Sequence, residues 1–203
     1  MNTNKKILET VELAVLVALV VTLQLVSAIV PPIGGMVSIT LTLVPVVVGA
    51  ILFGIKGGVV LGTAFGAIVL INCIIPLDPG GNILWNANPL MTALLCFVKG
   101  IAAGLIPAVL YSACRGKKER VGKGRKLLST LIAAMFAPIA NTGLFICGMA
   151  IFFMDTLSAW AGGSNIVTYV LFGLAGVNFL IEFLINIILA PTIVRIVDII
   201  KKK

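Results

Sequence analysis

Apolar residues run along this chain in long stretches broken by polar clusters, and six stretches approach the roughly 20 residues a membrane helix needs. The first covers about Thr10 to Val30 and ends at Pro31-Pro32. The second runs from about Ser38 to Phe53, and the third from about Gly58 to Ile75, where Pro76 stops it. A polar, turn-rich segment from Leu77 to Asn88 follows, containing Asp78-Pro79-Gly80-Gly81. The fourth span covers about Pro89 to Ala113, the fifth about Leu127 to Phe153 and the sixth about Ile166 to Val194. The pattern predicts an all-α, polytopic membrane protein: one domain over residues 1–203 with six transmembrane helices. No clean small-residue cleavage site precedes Pro31-Pro32, and the first apolar run is long for a secretory signal, so that segment reads as a retained helix.

Composition agrees. Of 203 residues, 60% are hydrophobic and only 11% charged, against about 25% charged in a soluble domain. Mean hydropathy is +1.20. Too few charges remain to wet a surface around one core, which excludes a soluble enzyme, a nucleic-acid-binding domain and a disordered chain. The formal charge of +8 therefore reports topology before it reports partners. Lys5, Lys6, Lys56, the seven basic residues between Arg115 and Lys126, Arg195 and Lys201 to Lys203 all fall on the side of the termini. That is fourteen of the 15 basic residues. The opposite loops carry Asp78 and Asp155 and no Lys or Arg. Basic residues accumulate in cytoplasmic loops, so both termini are expected in the cytoplasm and the chain in the cell membrane. Contact of the basic face with anionic membrane lipid is the second reading of that charge.

Chemistry is sparse. Histidine is absent, which removes His-ligated metal sites and every His-based nucleophilic arrangement. There is no phosphate loop, no GxSxG elbow and no paired carboxylates, so neither an enzyme nor a resident cofactor is expected. Cys73, Cys96, Cys114 and Cys147 form no CxxC pair. Gly54, Gly58, Gly62 and Gly66 recur every four residues, and Gly100 and Gly104 repeat the device. Such ridges let helix backbones approach closely in lipid.

Ionisable groups inside spans carry the most information, because each costs about 3 kcal/mol on insertion scales unless paired or hydrated. Lys99 is the basic residue deep in a span, and Glu182 is its acidic counterpart in the sixth. Two readings stand: a Lys99–Glu182 ion pair, or Lys99 facing an outward cavity and an anionic or polar ligand. Asn141 and Thr142 follow Pro138 in the fifth span, and Asn178 lies in the sixth. These amides either bond between helices or offer donors and acceptors to a ligand. Trp85, between the polar residues of the outer loop and close to Asn88, is either an interfacial anchor or a ligand contact.

The run Val44-Pro45-Val46-Val47-Val48-Gly49-Ala50-Ile51-Leu52-Phe53-Gly54, followed by Gly57-Gly58 and Gly62 to Gly66, resembles the proline and small-residue segment joining the second and third helices in the S components of energy-coupling factor (ECF) vitamin transporters. Ala14 and Ala18 are similar to that family's AxxxA on the first helix. Ile55-Lys56 departs from the family, which often has proline there. The resemblance covers nearly the whole chain. It implies high-affinity capture of a small water-soluble vitamin and docking through Ala14 and Ala18 on a transmembrane scaffold subunit (EcfT) with two ATPases. It also implies ligand contacts near the outer side from the fourth to sixth helices and outer loops, where Lys99, Asn141, Asn178 and Trp85 fall. Pro31 to Val37 is expected as a lid. The missing histidine disfavours the nickel and cobalt branches. A buried lysine points to a carboxylate-bearing ligand such as pantothenate or folate; were Glu182 to neutralise it, a neutral one such as riboflavin fits equally. The alternative is a self-sufficient carrier or facilitator, although the two halves show no convincing repeat.

Overall fold

A computed structural model describes residues 3–29, 41–116, 122–174 and 176–200. The expected lid, Pro31 to Val37, and the start of the expected second span lie outside the described residues. In lipid no water satisfies a backbone N–H or C=O, so apolar runs close their hydrogen bonds within helices. The elements are α1 (Thr3–Ile29), α2 (Leu43–Ile74), α3 (Pro79–Ala87), α4 (Pro89–Arg115), α5 (Lys123–Phe152), α6 (Met154–Ala161), α7 (Ile166–Thr168), a π-helical turn at Tyr169–Leu174, and α8 (Gly176–Ile200).

Among the described residues five helices are long and apolar enough to cross a membrane: α1, α2, α4, α5 and α8. The boundary between the expected second and third spans lies at Gly54. The expected second and third spans join in α2, and Gly54 breaks its helical geometry with φ 63° and ψ −146°, a conformation glycine alone adopts without strain. The chain reverses there. A methyl group on Gly57 would collide with the Gly49 carbonyl oxygen, and the Leu61 side chain packs against Gly49. In a continuous helix, positions 49 and 57 stand about 12 Å apart. The arm before the break, Leu43–Phe53, measures about 16 Å at 1.5 Å per residue, half of the roughly 30 Å hydrocarbon layer.

The remaining glycine ridge packs as its spacing predicts. Gly58 meets Gly104, Gly62 meets Gly100, and a methyl on Gly66 would sit 2.7 Å from the Cys96 carbonyl oxygen. α2 and α4 therefore run antiparallel in backbone contact. Gly54 itself is the turn and not part of the ridge.

Two further expectations are corrected. The turn-rich segment 77–88 is largely helical, as α3. Asp78 caps it by accepting from Gly81 N at 3.1 Å, with Pro79 in the first turn, where its missing N–H costs nothing. The expected sixth span, 166–194, opens as α7 and the π turn, and α6 precedes it, ended by Gly162 in the left-handed conformation (φ 57°).

The main core gathers Val20 of α1, Leu43, Val46, Leu61 and Phe65 of α2, Ala133 and Ala137 of α5, and Ile193 and Val197 of α8. Thr42 Oγ1 donates to Gln24 Oε1 at 3.0 Å, a buried bond fastening α1 to the start of α2. A smaller cluster of Leu84, Leu95, Met149, Phe153, Leu157 and Leu174 joins α3, α4, α5, α6 and the π turn. The two ends differ in charge. Lys6, Glu9 and Lys56 line one cleft, Arg125 Nε donates to the Cys114 carbonyl at 3.0 Å, and Lys126 pairs with Asp198. Large apolar side chains on the flanks stand open, Val15 and Ile188 among them, as a lipid-facing surface requires.

Replacing Gly62 by Val drives Cβ into the Gly100 backbone, which cannot swing aside as a side chain does. The expected loss exceeds the about 1–3 kcal/mol of ordinary overpacking and is read as a lowered unfolding temperature in detergent. Gly143→Ala is the matched control, since nothing lies within 4 Å of a Cβ there.

Candidate functional site

A narrow cleft lies where the second cluster meets the end of α2. Val69 and Cys73 of α2 form one wall, and Thr92, Leu95, Cys96 and Lys99 of α4 the facing one. Asp78, Gly80, Gly81 and Leu84 bring in α3, while Phe145 of α5 and Trp160 of α6 complete the lining. The glycine ridge fixes the two long walls relative to each other.

Local chemistry holds α3 against them. Asn82 Nδ2 donates to the Cys73 carbonyl at 2.8 Å. A methyl on Gly81 would collide with Cys73 Sγ and approach Asp78 Oδ2 to 2.9 Å, so only glycine lets the helix come this close. The Asp78 carboxylate is occupied at the α3 N-terminus, where the helix dipole favours a negative charge. Across the cleft, the Lys99 ammonium stands over the Phe145 ring, 5.0 Å from its centroid. A cation–π contact of this kind contributes about 0.5–2 kcal/mol, more as water is excluded. Lys99 is half-buried, so its charge reaches the cleft without being sealed from water.

The sequence-derived candidates divide among several places. Lys99 is in the cleft. Trp85 is half-buried on α3 and packs against the main core, and the cleft's tryptophan is Trp160. Asn88 is exposed and caps α4, accepting from Met91 N at 3.2 Å. Asn141 is buried on α5, its Oδ1 without a hydrogen-bond partner. Thr142 is rotated to another face and lines an open apolar groove with Ile139, Phe172 and Phe179. Asn178, Glu182 and Asn186 repeat every fourth residue on α8, all buried, and Asn186 Nδ2 donates to the Glu182 carbonyl at 2.8 Å. Glu182 is not among the residues lining the Lys99 cleft.

Asp78, Thr92, Phe145 and Trp160 were not singled out from sequence. Asp78-Pro79 is a helix-start signal and marks Asp78 as ordered; Thr92 and Phe145 carry no mark in an apolar run. Among the described residues, no group of three His, Cys, Asp or Glu side chains is placed to hold a metal ion.

Comparison with known proteins bears on this arrangement. The family model described as "ECF transporter, substrate-specific component" matches residues 8–194. The chain is also similar to the Pantothenic acid transporter PanT of Lactococcus lactis subsp. cremoris (strain MG1363). The two are 27% identical over 191 residues, covering 90% of this chain and 89% of that relative.

The role of Asp78 is separable from any ligand. Asp78→Asn keeps an oxygen for Gly81 N, whereas Asp78→Ala removes it and is expected to cost about 1 kcal/mol. Thermal unfolding in detergent should rank wild type and Asn together, above Ala.

Proposed function

This chain belongs to the family of ECF transporter substrate-specific components, and from that premise we propose that it captures pantothenate at the outer face of the cell membrane for ATP-driven uptake. The membership makes it a transporter's substrate-binding component and not an enzyme. The observation that carries the ligand is Lys99, a cation within an apolar helix, facing a cleft beneath Phe145 and Trp160. A charge at that depth is expensive, and a carboxylate partner offsets the cost through charge-assisted hydrogen bonds. Pantothenate carries such a carboxylate at one end and hydroxyl and amide groups along its length. The similarity to a pantothenic acid transporter points the same way.

Orientation follows from charge. The cleft adjoins Asp78 and α3, away from the end holding Lys6, Lys56, Arg125 and Lys126. With the basic end in the cytoplasm, the cleft opens outward. On α1, Ala14 and Ala18 are exposed, while Leu13, Leu16 and Val17 pack inward on the core. That outward small-residue face suits close helix docking on a transmembrane scaffold subunit, EcfT, with two ATPases supplying the energy. Asn141 on α5 and Asn178 and Glu182 on α8 are buried polar side chains outside the lining of this cleft, and no direct ligand contact is assigned to them.

Purified protein is expected to bind pantothenate stoichiometrically in isothermal titration calorimetry. Lys99→Met should weaken it about 10- to 100-fold, the worth of a hydrogen bond to a charged group at about 1.5–3 kcal/mol. Unchanged affinity excludes Lys99 from ligand contact. Ala14→Trp with Ala18→Trp should leave binding intact while abolishing co-purification with scaffold and ATPases. Uptake that persists in vesicles lacking the ATPases would instead establish a self-sufficient facilitator.

A further inference from the structure

We propose that Asn72 is a specificity-determining residue of this site, its side-chain amide hydrogen-bonding a neutral hydroxyl or amide group of the ligand whose carboxylate meets Lys99. The inference rests on the functional reading above and names a contact it does not contain.

Asn72 is 1% exposed, yet neither its Nδ2 nor its Oδ1 has a hydrogen-bond partner. An amide buried in this way loses its hydration with no return. A leucine or valine would fill the place at no such cost, and the surrounding sequence, Val69 to Ile75, is otherwise built of apolar residues and Cys73.

Position ties the amide to the cleft. Asn72 follows Val69 by three residues and adjoins Cys73, and both of those line the cleft. Asn72 does not itself line the cleft; residues three and four apart share a helix face, so it stands beside that wall, next to the lining residues. Its own carbonyl accepts from Leu77 N and Asp78 N, each at 3.1 Å, and Asp78 is again a lining residue. Position 72 is therefore pinned between two parts of the cleft.

The local backbone does not bond the side chain. In this last turn of α2, the Ile71 carbonyl already accepts from Ile75 N and the Cys73 carbonyl from Asn82 Nδ2. Other asparagines near the cleft are differently employed: Asn82 fastens α3, and Asn88 caps α4. Asn72 has both its buried amide nitrogen and its buried amide oxygen unmatched. A group that both donates and accepts, a hydroxyl or an amide, answers that pair. The glycine seam holds α2 and α4 side by side, so a ligand with a carboxylate at one end for Lys99 and such a group further along its body for Asn72 answers both side chains.

The test measures pantothenate and panthenol, its analogue with an alcohol replacing the carboxylate, on wild type, Asn72→Leu, Asn72→Ser and Lys99→Met, together with unfolding temperatures without ligand. The expected result is that Asn72→Leu unfolds at or above the wild-type temperature while losing about 10- to 100-fold affinity for both compounds. Lys99→Met should lose affinity for pantothenate and keep that for panthenol. Asn72→Ser, smaller and still able to form one hydrogen bond, decides if the leucine variant does not fold; a weakened affinity for both compounds supports the contact. Unchanged affinity in the Asn72 variants, with or without a lowered unfolding temperature, overturns the inference and makes the amide structural. Wild-type protein that binds neither compound overturns the ligand assignment, and this inference with it.

Discussion

The approach of α2 to α4 is the constraint from which the remaining architecture follows. Two helices in lipid gain little from burying apolar side chains against each other, because the acyl chains are equally apolar. Association must come from closer packing than lipid offers. Glycines at 58, 62 and 66 facing Cys96, Gly100 and Gly104 supply it by letting backbone meet backbone along the seam. The same seam ends at Val69, Cys73, Cys96 and Lys99, so the helices that touch along the ridge become the cleft's two walls beyond it. A site built in this way is positioned by backbone and not by adaptable side chains.

Gly54 is the second consequence of packing in lipid. A reversal between two apolar helices leaves backbone polar groups unpaired unless the break is short, and one residue in the glycine-only region achieves it. The half-length arm Leu43–Phe53 then lies back along Leu61 and leads, through Thr42 and Gln24, to α1. α1 is thus anchored on one face and free on the other, where Ala14 and Ala18 stand open.

Much of this was legible in the sequence. Long apolar runs locate α1, α4 and α5 to within a few residues, and the four-residue glycine spacing anticipates the seam. Periodicity also counted Gly54 into the ridge, because spacing carries no information about φ. α3 was read as a turn because Gly80 and Gly81 lower helix propensity; the helix persists because the Asp78 cap, Pro79 and the bond from Asn82 to Cys73 hold it in place. α6 hid behind the fifth span, and with it Trp160. For the site, the cost of burying charge led directly to Lys99. Thr142 was grouped with Asn141 by adjacency, although consecutive helical residues point about 100° apart, and the structure puts it in a different groove.

Asn72 escaped for a reason that distinguishes charges from amides. A lysine in an apolar span stands out because no neighbouring residue type hides its cost, whereas one asparagine among valine, leucine and isoleucine is averaged away by any hydropathy window. What an amide does depends on the backbone around it. At a helix start, free N–H groups give it work, as they do for Asn88, so its presence there needs no ligand. In the last turn of α2 the nearby carbonyls at 71, 72 and 73 are already taken by Ile75, by Leu77 and Asp78, and by Asn82. The backbone hydrogen bonds of this turn are made without the amide, which the local chain leaves unbonded. A membrane protein that recognises small polar molecules needs such groups, held unmatched by a rigid frame, because a side chain already satisfied by its own helix has little left with which to discriminate.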